Sequence, residues 1–145
     1  MNKKINSIHT FVISLPDEIL RRKTIRKKLN GVCEKFEFFD AIDARKTNLI
    51  QHKDYHGLRR RLCYGKDLAP GELGCFLSHR AVLEKIVKNK ISISLIFEDD
   101  VTLQKDFKMV IENLINCRYP WEAVRFLGKP KIAKLMQRKI IKIYK

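Results

Sequence analysis

The feature that most constrains this chain is an apolar run that ends abruptly in three carboxylates, since residues 95–100 read LIFEDD. A continuous apolar run is typical of a strand that is covered on both faces of a sheet. Three adjacent negative charges repel one another unless a cation lies among them. The run therefore predicts a buried strand. Its carboxyl end either binds a divalent cation or forms a solvated acidic turn before the next helix.

Strand-like and helix-like segments alternate along most of the chain. The pattern predicts strands over 8–15, 35–39, 91–97 and 123–127, and helices over 18–30, 70–89 and 106–115. This alternation favours an α/β sandwich with a mainly parallel sheet. Residues 41–69 are polar, basic and poorly periodic, and are interpreted as a long mobile connection.

Parallel sheets bind ligands beyond the carboxyl ends of their strands. Besides the acidic triplet, Ser14 lies at the end of the first predicted strand, Asp40 follows the second, and Arg21 and Arg22 lie in the first predicted helix. Asp40 is either a hydrogen-bond partner of a ribose or base, or a turn residue. The two arginines either contact a phosphate or belong to a solvated helix face.

The helix predicted over 70–89 places Glu72, Cys75 and His79 near one stripe. Gly74 within this helix costs about 1 kcal/mol relative to alanine, so it suggests the close approach of another backbone or a ligand. His79 is suited to contact a diphosphate, orient a carboxylate or ligate a metal. The alternative is a histidine packed between helix and sheet. Cys75 is interpreted as a small core residue.

Composition narrows the class of protein. A chain of 145 residues is long enough for one domain, and it contains no apolar run that would span a bilayer. Its N-terminus lacks the pattern of a secretory signal, so we expect a cytoplasmic protein whose four cysteines are reduced.

The net charge of +15 is unevenly distributed. Residues 66–128 are neutral overall, whereas residues 129–145 carry seven Lys or Arg and no acidic residue. This segment is predicted to form a basic amphipathic helix, which either lies on an anionic membrane surface or packs on the preceding domain, residues 1–128. The charge also allows a nucleic-acid-binding protein, but no specific nucleic-acid motif is present.

Four segments in order carry a family resemblance: VISLPDEILRRKTI, FEFFDAID, LAPGELGCFLSHRAVLEKI and SLIFEDDV. Together they resemble glycosyltransferase family 25, which includes bacterial lipooligosaccharide galactosyltransferases. A weaker match follows in residues 120–127. The resemblance implies a GT-A-type, Rossmann-like nucleotide-diphospho-sugar transferase fold. It also implies a UDP-sugar donor (UDP-galactose as the first choice), a divalent metal such as Mn²⁺, and inverting transfer to a lipid-linked lipooligosaccharide or lipopolysaccharide acceptor.

The resemblance also implies roles for individual residues. Asp100 and Glu98 would hold the metal, with Glu98 and Asp99 near the donor. Ser78, His79, Arg21, Arg22 and Asp40 would lie at the donor site.

The family's domain continues beyond the matching region, so the chain is expected to be its donor-binding half, truncated at the C-terminus. The general base is not assigned to any residue. An active transferase, attached peripherally to the inner face of the cytoplasmic membrane, and a non-catalytic UDP-sugar-binding remnant are both compatible with these motifs.

Overall fold

The computed structural model describes residues 4–46, 53, 55–126 and 143–144. Its elements are β1 (His9–Ser14), α1 (Ile19–Leu29), β2 (Glu37–Asp40), α2 (Gly57–Tyr64), α3 (Pro70–Lys88), β3 (Ser94–Glu98), α4 (Phe107–Ile115), β4 (Ala123–Val124) and β5 (Ile143–Tyr144). Short 3₁₀ helices occupy Ile5–Ser7 and Ala44–Lys46. The predicted strands and helices before residue 116 are confirmed, with shifts of a few residues at their ends.

The main sheet has three parallel strands in the order β2-β1-β3. In its register Val12 pairs with Phe38 of β2 and with Phe97 of β3. The carboxyl ends of the three strands, at Ser14, Asp40 and Glu98, therefore lie at one edge of the sheet. The mixed helix and strand architecture with a parallel sheet is as predicted.

Both faces of β1 are covered by helices. Because successive side chains of a strand point to opposite faces, neighbouring residues of β1 belong to different clusters. Val12 joins a cluster on one face with Ile25 and Leu29 of α1 and Ile111 of α4. Phe11 and Ile13 pack on the opposite face, in a cluster that includes Val82 of α3. The predicted apolar side of α1 is narrower than expected, because Ile19 and Leu20 are exposed.

Helix α3 begins where the sequence predicts. Pro70 occupies its first turn, and the Glu72 carboxylate accepts a hydrogen bond from the Ala69 backbone N–H at 2.8 Å. This bond satisfies one of the backbone donors that the start of a helix leaves unpaired. The start of α3 is therefore fixed by residues of its own first turn.

The interpretation of residues 41–69 as one long connection is wrong in part, since it contains α2 and a 3₁₀ helix. Helix α2 buries no residue. It ends at Gly65, whose φ of 73° is readily adopted by glycine, with the Gly65 N–H bonded to the Arg61 carbonyl at 2.8 Å. Local bonds rather than core packing hold this helix.

The predicted strand at residues 123–127 is shorter than expected and lies outside the main sheet. β4 pairs in antiparallel fashion with β5 in a separate two-stranded sheet. The helix predicted over 129–145 is wrong at Ile143–Tyr144, and its remaining positions lie outside the described residues. The division into 1–128 and 129–145 stays a prediction. Among the residues that the structure describes, no helix is both long and apolar enough to cross a bilayer.

Candidate functional site

A cleft of about 350 Å³ opens at the carboxyl ends of β1 and β3. Its walls come from these strand ends, from the first half of α3 and from the loop that follows β2. The residues that carry its chemistry are Ser14, Glu18, Arg21, Asp43, Arg45, Cys75, Ser78, His79, Glu98, Asp99 and Asp100. The acidic triplet thus lies in a cleft of the size and position typical of ligand sites in α/β proteins.

Asp99 is the buried member of the triplet. Its Oδ2 accepts a hydrogen bond of 2.7 Å from the Ser14 hydroxyl, and its Oδ1 accepts one of 3.3 Å from Arg21. These bonds connect the end of β1, helix α1 and the segment after β3. Asp99 therefore fixes the geometry of the cleft, and its charge is already partly balanced by Arg21.

Glu98 faces two side chains of α3. Its Oε1 lies 3.0 Å from Nε2 of His79 and 3.8 Å from Sγ of Cys75. Cys75 and His79 are one helical turn apart, so they meet the same carboxylate. His79 therefore faces the cleft beside a carboxylate, and its role at the donor site stays a prediction.

Cys75 is not a core residue, contrary to the prediction, because it is exposed on the cleft side of α3. Partial desolvation, followed by the charge of Glu98, raises the pKa of its thiol above the ordinary value. All four cysteines are free thiols.

Asp100 is exposed and lines the cleft. Within the described part of the chain it has no ion-pair or hydrogen-bond partner. The carboxylate oxygens of Asp100 and Glu98 are ligands that Mg²⁺ and Mn²⁺ prefer. Asp100 is thus available to hold a cation, and the residues present fit the predicted oxygen-rich metal site.

Ser78 and Gly74 attach α3 to the loop after β2. The buried Ser78 hydroxyl accepts a bond of 2.8 Å from the Ile42 N–H and donates one of 2.6 Å to the Gly74 carbonyl. A Cβ at position 74 would lie 2.7 Å from the Ile42 carbonyl oxygen. The close backbone approach predicted at Gly74 is confirmed. The single O–H donor of Ser78 and one of its acceptor lone pairs are thus used within the protein.

Arg22 and Asp40 lie beside the cleft rather than on its surface. Arg22 donates to the Ser14 carbonyl at 2.9 Å and to the Asp40 carboxylate at 2.5 Å. Its guanidinium also lies over the Phe38 ring, 4.8 Å from the centroid. This arrangement joins the ends of β1 and β2.

The loop residues Asp43 and Arg45 line the cleft although the sequence pattern did not predict them as site residues. The Arg45 guanidinium donates to both carboxylate oxygens of Asp43, at 2.8 and 2.9 Å, and this pairing raises the pKa of Arg45. The position of both residues could have identified them, because charged residues directly after a strand lie in a loop that faces the ligand region of a parallel sheet.

The sequence model of the family described as Glycosyltransferase family 25 (LPS biosynthesis protein) matches residues 7–142. A putative glycosyltransferase of Haemophilus influenzae is 36% identical over 106 residues, which cover 72% of this chain and 36% of that protein. The human inactive glycosyltransferase 25 family member 3 is 33% identical over 138 residues, covering 89% of this chain and 23% of that protein.

Procollagen galactosyltransferase 1-A of Xenopus laevis is 25% identical over 138 residues, covering 89% of this chain and 22% of that protein. The chain thus spans between about a fifth and about a third of the length of these relatives. The match to the family extends over nearly the whole sequence and includes every element around the cleft. The chain belongs to glycosyltransferase family 25.

Proposed function

We propose that this chain forms the donor-binding part of a GT-A-type glycosyltransferase that uses a UDP-sugar, with UDP-galactose as the first choice. The acceptor would be a lipid-linked oligosaccharide of the lipooligosaccharide or lipopolysaccharide class. Family membership supports sugar transfer. The family's description as LPS biosynthesis proteins supports the choice of acceptor, and the similarity to a galactosyltransferase supports the choice of donor sugar. The observation that carries the proposal is the set of carboxylates, with Arg21 and His79, around one cleft at the strand ends.

Different side chains would serve different parts of the donor. Arg21 and Arg45 offer guanidinium groups to a diphosphate, which would exchange with their present carboxylate partners. His79 orients Glu98. Arg22 and Asp40 would act indirectly, by fixing the strand ends beside the nucleotide.

Asp100 and Glu98 would hold a divalent metal, with Mn²⁺ as the expected ion. When bound, the metal supplies positive charge that stabilises the departing UDP. Asp99 and Ser78 would keep the surrounding backbone in place through their internal hydrogen bonds.

Calorimetric titration with UDP in the presence of Mn²⁺ tests the proposal. Asp100→Ala should weaken UDP binding at least about tenfold, because it removes an exposed charged ligand of the metal. Asp106→Ala is the matched control, since Asp106 is also exposed but lies outside the cleft at the start of α4. Equal affinity in the two variants, with both folded by circular dichroism, would contradict the assignment.

A second candidate is donor binding without turnover. Four of the five carboxylates that line the cleft already have partners: Glu18 and Asp99 with Arg21, Asp43 with Arg45, and Glu98 with His79. If Asp100 holds the metal, none of the cleft-lining carboxylates in the described ranges remains unpaired to deprotonate an acceptor hydroxyl.

Measuring UDP release with and without a lipooligosaccharide acceptor separates the two candidates. Acceptor-dependent release would establish transfer by this chain. Release at the background rate, together with Mn²⁺-dependent UDP binding, would favour the non-catalytic candidate. Cytoplasmic location and membrane attachment through residues 129–145 stay predictions.

A further inference from the structure

We propose that Cys75, His79 and Glu98 form a second metal site, which binds a thiophilic divalent cation of the zinc type. The site differs in chemistry from the oxygen site proposed for Mn²⁺, with which it shares only Glu98. It rests on the three side chains and not on the identity of the sugar donor.

The distances between the three side chains suit a metal ion. One ligand atom from each side chain lies within 4.8 Å of the other two. Bond lengths of about 2.0–2.3 Å around a tetrahedral zinc ion place nitrogen and oxygen ligands about 3.3 Å apart, and sulfur and oxygen ligands about 3.6 Å apart. The observed separations from Glu98 Oε1 are 3.0 Å to His79 Nε2 and 3.8 Å to Cys75 Sγ. These two separations are within a few tenths of an ångström of the zinc values, and the Cys75–His79 separation, which lies within 4.8 Å, would shorten to about 3.6 Å when the ion binds.

The ligand types favour zinc over Mg²⁺ and Mn²⁺. Thiolate and imidazole are soft or intermediate ligands that favour zinc, whereas Mg²⁺ and Mn²⁺ favour oxygen. Three protein ligands with a fourth position left open are typical of zinc sites that bind water or a substrate atom. Cys75, His79 and Glu98 all line the cleft, so the fourth position would face its interior.

The three ligands lie on regular secondary structure, helix α3 and strand β3. Cys75 and His79 lie one turn apart on α3, a helix whose first half is attached by Ser78 to the neighbouring loop. Glu98 is the last residue of β3, which pairs with the central strand. Two regular elements thus hold the three ligands close together before any ion binds, which reduces the ordering that binding requires.

Cobalt(II) is a suitable probe, because it occupies zinc sites and its thiolate bond absorbs in the near ultraviolet. The titration uses the full chain with Cys63→Ser and Cys117→Ser, which remove the two other exposed thiols, while Cys33 stays in the core. We expect one cobalt ion per chain, a thiolate charge-transfer band and displacement by zinc. Millimolar Mg²⁺ should not abolish the band, because the thiolate and imidazole ligands favour cobalt over Mg²⁺.

Substitutions of single residues test which side chains bind the cobalt ion. Cys75→Ser should abolish the band, and His79→Gln should weaken cobalt binding at least about tenfold. Asp100→Ala is the matched control and should keep the band, because Asp100 is not part of the cluster. A band that is absent from the parent chain, or that survives Cys75→Ser, would overturn the proposal.

A second measurement requires no substitution. Zinc should slow alkylation of Cys75 in the unaltered chain at least about tenfold, and it should leave Cys63 and Cys117 reactive, with the modified peptides identified by mass spectrometry. Equal alkylation of Cys75 with and without zinc would also overturn the site. Neither measurement involves a nucleotide, so a failure of UDP binding and a failure of this site are distinguishable.

Discussion

Asp99 and Asp100 are neighbours in sequence but belong to two different parts of the cleft. Asp99 belongs to an anchored wall, which we define as Ser14, Gly74, Ser78 and Asp99, all buried. Asp100 belongs to an open rim, which we define as Cys75, His79, Glu98 and Asp100.

The polar side chains of the wall are hydrogen-bonded within the protein, as buried polar groups usually are. The rim side chains are wholly or partly exposed, and they face one another or the solvent. The comparison indicates that the wall determines the shape of the cleft, whereas the rim is available for ligands.

The largest effect that would test this division is expected at Gly74. Gly74→Ala places a Cβ 2.7 Å from the Ile42 carbonyl oxygen, so the loop after β2 must move away from α3. We expect a loss of about 2–3 kcal/mol in the free energy of unfolding, as for other overpacked sites. Urea denaturation measures it.

Gly71→Ala is the matched control for this change. A Cβ at position 71 meets no atom within 4 Å, and alanine favours a helix. We therefore expect this variant to be neutral or slightly stabilised. If the two variants were equally stable, the close approach at Gly74 would not hold the wall.

The second test compares the adjacent aspartates. Asp99→Ala removes the acceptor of the Ser14 and Arg21 bonds and leaves the buried Ser14 hydroxyl only the longer bond, of 3.3 Å, to the Leu15 carbonyl. We expect a loss of about 2 kcal/mol in the free energy of unfolding. Asp100→Ala should change it by less than about 0.5 kcal/mol, as for most surface substitutions.

The same pair of variants should show the reverse order of effects on binding. Asp100→Ala should lose Mn²⁺-dependent UDP binding while remaining as stable as the parent chain. If Asp99→Ala proved as stable as Asp100→Ala, the distinction between wall and rim would not hold.

The smallest effect on the free energy of unfolding is expected in a network of ion pairs that is exposed to solvent. Glu37 pairs with His9 and Lys85 at separations of 3.0 and 2.9 Å, on an exposed part of the sheet. Burial opposes the shift, but these hydrogen bonds and charges lower the pKa of Glu37 below its ordinary 4.5. The network therefore contributes stability above the unfolded pKa and loses it as the pH falls through the lower, folded pKa.

Glu37→Gln should reduce the free energy of unfolding by less than about 1 kcal/mol at neutral pH, because exposed ion pairs contribute little. The difference from the parent chain should shrink as the pH falls below 4.5. Denaturant titrations at several pH values measure it. Glu34→Gln is the control, since Glu34 makes no ion pair with any described residue. A pH-independent difference would contradict the role of the carboxylate charge.

Strands β1 and β3 were predictable because their apolar residues pack in the clusters on the two faces of the sheet, although only Phe97 of β3 is fully buried. The apolar residues of β1 and β3 identify strands, and Pro70 with Glu72 marks the start of α3. Placing the carboxylates together required only that parallel strands end at the same edge. This much of the cleft follows from the sequence.

Hydrophobicity accounts for only part of the inward face of α3, where Leu73, Leu77 and Val82 are buried. Gly74 and Ser78 are buried, whereas Cys75 and Phe76 are exposed, because the adjacent loop approaches the helix too closely for larger side chains. Helix α2 was missed because none of its residues is buried, so its sequence carries no core-facing pattern. The pairing of β4 with β5 joins two-residue segments that lie far apart in the sequence, and no local signal indicates it.

The bond between Ser14 and Asp99 joins residues 85 positions apart, across the pairing of β1 with β3. Contacts of this sequence separation form slowly, because most of the chain must be ordered before they add stability. We therefore expect the cleft to appear only in the last, cooperative step of folding, and no partly folded intermediate to display it. A ligand that binds there would stabilise the whole sheet against unfolding, so its affinity can be measured from the shift of the global transition.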